Sequence, residues 1–358
     1  MKKRIGWGPL LLAALLATGC GAGGQPASSG GGEGGSTLVV AAYGGSYEKA
    51  MKESIIPQFE QKYKAKVTYV TGSSMDTLAK LQAQKDKPQI DVAFMDDGPQ
   101  AQAKSVGLLA PLDPNQVPAL SDVYDVAKDS DNVGVAIGLD ATGLAYNTKV
   151  FAEEGWAAPA SWNDLARPEF AGKLVLPSIA NTYGVHLLVM LAKANGGSES
   201  NIEPGFAKLK EMAANAVTFD KTADVSNYFM QGETVTSAWG TGRVFTLQSK
   251  NFPIDFVYPK EGAVALMPTA NLVKNAPHPV LAQAFINFML SVEAQEALSK
   301  STFSGPVNKQ VKLPEDVAAK VVYGEETVGK LVRMDWKTIN ENRAAWTERA
   351  NKEIEIAH

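Results

Sequence analysis

The sequence predicts an α/β protein of two lobes, each a mainly parallel sheet flanked by helices, joined by crossing strands. Three observations carry this. From residue 38 onward, short apolar runs alternate with glycine or serine turns and amphipathic helices, the pattern of parallel sheets covered on both faces. A second strand, loop and helix series begins at Lys173, after an extended passage near Gly138. A body of 339 residues remains once residues 1–19 are removed from 358, which is long for one core and suited to two.

Residues 36–42 form an apolar run ending in Tyr43-Gly44-Gly45-Ser46, after which Tyr47, Ala50, Met51, Ser54, Ile55, Phe59 and Tyr63 recur at helical spacing. Residues 67–70 predict a second strand and residues 71–74 a turn. Met75, Leu78 and Leu81 then mark the apolar edge of a helix, with Ser73 and Asp76 at capping-box spacing. Residues 90–95 predict a third strand, leading into Asp96-Asp97-Gly98. Ligands collect at the carboxyl ends of such strands, so the loops at 43–46, 72–74 and 96–98 converge on one place. Each loop offers hydrogen-bonding or aromatic side chains beside the amides of a helix start. Taken singly, Ser46 and Ser73 serve as well for helix caps, Asp97-Gly98 for a turn and Tyr43 for packing on the sheet edge.

Residues 133–138 form an apolar strand, residues 138–142 the first passage between lobes, and residues 144–148 a further extended segment. The second lobe repeats the grammar with a strand at 173–177, a polar loop at 178–184 and an apolar helix at 185–194. A strand at 234–239 runs into the loop Gly240-Thr241-Gly242-Arg243. Residues 252–258 lead through Pro259-Lys260-Glu261-Gly262 to the apolar run 263–267, and Val280, Leu281, Ala284, Phe285, Phe288, Met289 and Val292 form one broad helix face. The expected limits are 38–139 and 260–300 for the first lobe, and 140–259 and 301–358 for the second.

The chain opens with Lys2, Lys3 and Arg4, an apolar run at 9–17 and small residues before Cys20, as secretory signals do. That run is too short for an ordinary transmembrane helix. The placement of the single cysteine at the cut resembles a bacterial lipobox, which implies lipidation of Cys20. Residues 1–19 are then a lipoprotein signal peptide. Residues 20–37, rich in glycine and serine, form a flexible tether, and the body is extracytoplasmic, lipid-anchored to the cell membrane in the periplasm or on its outer face. Lipidation consumes the only thiol, so none remains for a disulfide, a metal or catalysis.

Composition excludes other classes. With 45% hydrophobic and 20% charged residues the body is an ordinary globule, and a net charge of −4 without a Lys/Arg block beyond the signal region leaves no nucleic-acid footprint. There is no G-x-S-x-G, H-E-x-x-H or Walker loop, and Gly240-Thr241-Gly242 lacks the third glycine of a dinucleotide turn. His186, His278 and His358 lack metal-ligand spacing, and no adjacent tyrosine pair or His/carboxylate set offers a ferric-ion site. No catalytic residue, metal or cofactor is predicted, and the protein is not expected to be an enzyme.

The order of motifs carries a resemblance. The motifs are Tyr43-Gly44-Gly45-Ser46, Asp91-Val92, Gly-Leu-Leu-Ala-Pro-Leu at 107–112, Gly-Leu-Ala-Tyr-Asn at 143–147 and Ser-Trp-Asn-Asp-Leu at 161–165. They continue with Gly-Lys-Leu-Val-Leu-Pro at 172–177, Gly232-Glu233, Pro-Lys-Glu-Gly at 259–262, and Ala-Phe-Ile-Asn-Phe at 284–288 with Gln295. Across residues 38–310 this order resembles bacterial extracellular solute-binding proteins of ABC importers, the family that includes spermidine/putrescine-binding proteins. The resemblance implies a two-lobed periplasmic-binding-protein fold of type II, a monomer without cofactor that closes on a small organic solute and presents it to ABC permease transmembrane subunits.

In the polyamine binders, acids and aromatic walls grip the ammonium groups. Here the loop after Pro177 carries no acid, and no Trp-x-Asp occurs in Leu266-Met267-Pro268-Thr269, while Arg243 offers a fork of donors suited to a carboxylate. The expected ligand is therefore a small solute with an acidic group. Arg243, Ser73, Ser74, Asn181 and Thr182 are its donors, Tyr43, Tyr183 and Trp239 its walls, and Gly45 and Ser46 the first loop's contribution. Asp96, Asp97, Asp140 and Glu261 are the acids a polyamine would need. Two or more of them lining the cleft exclude the acidic solute.

Overall fold

In the computed structural model, which describes residues 37–357, the apolar runs pair into two six-stranded sheets. Strands β1 Thr37–Ala42, β2 Lys66–Thr71, β3 Val92–Asp96, β4 Leu109–Ala110 and β5 Val135–Ala136 build the first sheet. Strands β6 Asp140–Asn147, β7 Leu174–Pro177, β8 Ala216–Asp220, β9 Thr236–Gly240, β10 Ile254–Val257 and β11 Val264–Leu266 build the second. Strand β12 Pro268–Val273 returns to the first. The spatial orders are β2-β1-β3-β12-β4 and β10-β6-β9-β7-β8, with β5 on β12 and β11 on β6.

Both sheets are mixed rather than mainly parallel. β1 lies parallel to β2 and β3, and β7 to β8 and β9. β12 runs against β3, β4 and β5, and β6 against β9, β10 and β11. The crossings account for this, because a strand that arrives from the other lobe enters the sheet from the opposite end. Residues 137–139 carry the chain from β5 to β6, and Met267 alone carries it back from β11 to β12. The two passages run side by side, Ile137 N donating to Pro268 O at 2.8 Å. The return comes later than residue 260, since Val264, Ala265 and Leu266 pair with Thr142, Ala141 and Asp140 in the second sheet. Residues beyond 300 also stay with the first lobe for a time, with Gly305 bridged to Leu139 and Asn308 to Val123.

Two apolar cores follow from the strand patterns. Leu38, Val40, Val92 and Phe94 pack with Phe59 and Phe285 in the first lobe, and Leu174, Leu176, Leu187, Leu188 and Phe206 with Trp162 in the second. Each such side chain contributes roughly 1.5–3 kcal/mol when fully buried. The helix Trp336–Glu353 joins the two bodies. Ile339, Trp346 and Ala350 bury in the second core, and beyond the helix Glu355 accepts from Ser178 Oγ at 2.8 Å and Ile179 N at 3.0 Å. Its first turns reach the first lobe, Trp336 Nε1 donating to Asp97 Oδ2 at 2.7 Å and Asn340 Nδ2 to Gly98 O at 3.1 Å. Only glycine fits at 98, where a Cβ would meet the Trp336 ring at 2.8 Å. No helix among the described residues is long and apolar enough to cross a membrane. Cys20, the signal segment and residues 20–36 of the tether lie outside the described residues.

Candidate functional site: an acidic cleft between the lobes

β1 and β3 run parallel and finish at one edge of the first sheet, which brings Tyr43 and Asp96 together. Tyr43 donates from its hydroxyl to Asp96 Oδ1 at 2.9 Å, Asp96 N donates to Ser74 Oγ at 3.0 Å, and the Tyr69 hydroxyl donates to Tyr43 O at 2.5 Å. Gly45, at φ +67°, turns the chain from β1 into the helix Gly45–Ala50, a conformation in which a side chain would be strained. The turn sets Tyr47 edge-on to Tyr43, with ring centroids 5.2 Å apart, and to Phe94 at 6.0 Å. Its hydroxyl is buried with no hydrogen-bond partner.

The second lobe answers with Asp140, the first residue of β6 after the crossing. Asp140 Oδ2 accepts from Ser304 Oγ at 3.0 Å and Oδ1 from Thr241 Oγ1 at 3.3 Å. Gly242 leaves this carboxyl uncovered, since a Cβ there would lie 3.0 Å from Oδ1. Tyr183 is buried nearby, and Arg243 stands exposed at the rim.

Burial pushes the Asp140 carboxyl up to about 7, Ser304, Thr241 and Arg243 oppose the rise, and Asp96 adds to it. Burial also raises Asp96, against Tyr43, Ser74 and Arg243. Tyr47 lies well above the ordinary tyrosine range, through burial first and then through Tyr69 and Asp140. Asp96 and Tyr47 belong to the first lobe and Asp140 to the second, so these influences run across the cleft. Two half-buried carboxyls share one guanidinium, that of Arg243. A cation placed between them replaces the proton that such a pair otherwise retains near neutral pH.

Residues 54–323 match the family described as "Bacterial extracellular solute-binding protein". The chain belongs to that family. This solute-binding protein is 24% identical over 284 residues to a spermidine/putrescine-binding periplasmic protein of Haemophilus influenzae, covering 76% of this chain and 77% of the relative. It is 27% identical over 281 residues to a gamma-aminobutyric acid-binding protein of Pseudomonas aeruginosa, covering 76% and 77%. The crystal structure of an ABC transporter from Clostridium perfringens superposes with a TM-score of 0.78 at 27% identity, covering 88% of this chain and 99% of that one. The two mixed sheets flanked by helices are thus those of a two-lobed periplasmic binding protein. Such proteins bind solutes outside the cytoplasm and work with ABC permeases, and the family is one of binders rather than enzymes.

Of the residues read from the sequence, the solute-binding protein brings Tyr43, Ser74 and Asp96 together and sets Tyr183 and Arg243 within their influence, with Gly45 and Ser46 exposed at the start of the first helix. Others are committed elsewhere. Ser73 accepts from Asp76 N at 3.1 Å in a capping box, and Asn181 caps its own helix by accepting from Gly184 N while donating to Asp220 O. Thr182 is half-buried in that helix's first turn. Asp97 turns away to Trp336, and Glu261 accepts from Ser161 Oγ at 2.6 Å and Trp162 N at 3.3 Å. Trp239 is 1% exposed and stacks on Phe229 at 6.0 Å, so it packs in the core. Tyr47, Tyr69, Thr241 and Ser304 were missed. Tyr47 fits a helical repeat, and nothing in the sequence near Ser304 marks it.

Proposed function

We propose that this solute-binding protein captures its solute by a protonated amine held between Asp96 and Asp140, and hands it unchanged to an ABC permease. The observation that carries the reading is the pair of half-buried carboxyls, one from each lobe, for which Arg243 is the one guanidinium acting among the described residues. The solute with an acidic group expected from Arg243 would, if that group were its only charge, meet two negative groups of its own sign. The ligands named for the relatives above, spermidine, putrescine and gamma-aminobutyric acid, all carry an amine. A cation held by Asp96 gains Asp140 only when the lobes meet, so it binds the closed form better and shifts the population toward closure. Titration calorimetry with butylamine and butanoate tests this. Butylamine should bind and butanoate should not, and the reverse order overturns the proposal.

The Cys20 lipid and the glycine-rich tether would keep the body near its permease, which residue pattern alone supports. Cys20→Ser should move the protein from the membrane fraction to the soluble extracytoplasmic fraction. An unchanged distribution removes the anchor.

A further inference from the structure

The amine-binding reading leaves Arg243 unexplained. A guanidinium beside a cation site repels the ligand unless it has a task of its own. Its ion pair with Asp224 is weak, at 3.7 Å between side chains 54% and 41% exposed, and such pairs contribute little. Its other partner is the Tyr183 hydroxyl, and more than half of the side chain still faces solvent. It nevertheless bears on the cleft, lowering Asp96, Asp140 and the Tyr183 hydroxyl. Arg243 belongs to the first turn of the helix Thr241–Gln248, whose Thr241 donates to Asp140 at 3.3 Å, so the helix that carries the cation is tied to the strand that carries the acid. The two signs are separated by depth. Asp96 and Asp140 hold hydrogen bonds inside the cleft, and Arg243 reaches it from solvent.

Building on the amine reading, we infer that the ligand is a short zwitterion, its ammonium between Asp96 and Asp140 and an anionic group at its other end against Arg243 and the Tyr183 hydroxyl. The placement of charge separates this from a diamine. With both acids ionised the cleft carries two negative charges and one positive. A diamine would bring two positive charges to a site with one uncompensated negative, and would set one of them against Arg243. A zwitterion sets each of its charges against an opposite one, with bidentate geometry available at the guanidinium. The Tyr47 hydroxyl, buried, unpartnered and under the influence of Asp140, is a further donor for the bound molecule.

The test is calorimetry on the intact protein with matched probes: 4-aminobutanoate, 6-aminohexanoate, 2-aminoethylphosphonate, butylamine, 1,4-diaminobutane and butanoate. At least one zwitterion should bind ten-fold or more tightly than both butylamine and 1,4-diaminobutane. In Arg243→Gln that advantage should collapse to about one, while butylamine affinity rises because a repelling charge is gone. Arg243→Lys, which keeps the charge without the fork, should fall between. Tighter binding of 1,4-diaminobutane, or a zwitterion advantage that survives Arg243→Gln, overturns the zwitterion and leaves the amine site standing. Binding of butanoate alone, or of no probe, overturns both readings.

Discussion

In the proposed amine site, Asp140 is the side chain on which the pH dependence turns. Its carboxyl, half-buried and raised to about 7, must lose its proton before it can neutralise the ammonium group of the proposed ligand, so ligand and proton should compete. The sign follows directly. Below pH 7 the acid is neutral and attracts a cation weakly, and above pH 7 it is ionised and attracts it strongly. For a group titrating near 7, amine affinity should rise about tenfold between pH 6 and pH 8. Asp140→Asn should flatten that profile and cost on the order of 30-fold or more in affinity at pH 8, since one partner of a buried charge pair is gone. An equally steep profile in the variant would assign the titration elsewhere. Asp140 was legible as an acid near a lobe passage, but its facing Asp96 was not, because the two are brought together by folding and not by spacing. The serine pair shows the complementary limit. Ser73 and Ser74 are adjacent and alike, yet one is spent on a capping box and the other supports Asp96, a choice made by helix phase. Trp239 could be read as a wall or as core, and the apolar strand that places it between Ala238 and Gly240 left both open.

At the level of elements, strands and helices were readable where a periodic apolar pattern matched one element, and least readable where the chain crosses. Residues 263–267 form a single apolar run, but it divides at Met267 between two sheets, and no change in composition marks the break. The joining helix was harder still, since Trp336–Glu353 is mostly polar and shows its purpose only through its contacts. Its tie to the first lobe is the Trp336 bond to Asp97, whose other oxygen is buried without a partner. Burial pushes Asp97 up to about 7, the Trp336 N–H opposing and Asp96 adding. The folded protein therefore holds a proton between about pH 4 and pH 7 that the unfolded chain releases, and stability falls as pH rises through that window. Asp97→Asn keeps an acceptor for Trp336 and removes the titration. Its unfolding free energy, from denaturant titrations, should decline less from pH 5 to pH 7 than that of the parent, by about 2 kcal/mol at about 1.4 kcal/mol per pKa unit. Parallel pH profiles would show that Asp97 is ionised and solvated there.

For the whole molecule, one apolar cluster runs from the first sheet to Val175, Phe229 and Trp239 of the second lobe and another lies around Trp162 and Phe206, while the chain itself crosses at 137–139 and at Met267, with the Gly305–Leu139 bridge and the helix Trp336–Glu353 as further ties. A ligand held by Asp96 alone would stabilise only the first lobe. A ligand held by Asp96 and Asp140 together stabilises the closed pair, because unfolding either lobe releases it. At a hundredfold excess over Kd the gain is about 2.7 kcal/mol. In a body of this size that raises Tm by on the order of 5 °C. Calorimetry should then show both lobes melting later and closer together with a bound amine, and no such convergence in Asp140→Asn. If the ligand delays one transition and leaves the other in place, the carboxyls act on one lobe only, and the cleft is not where the solute is held.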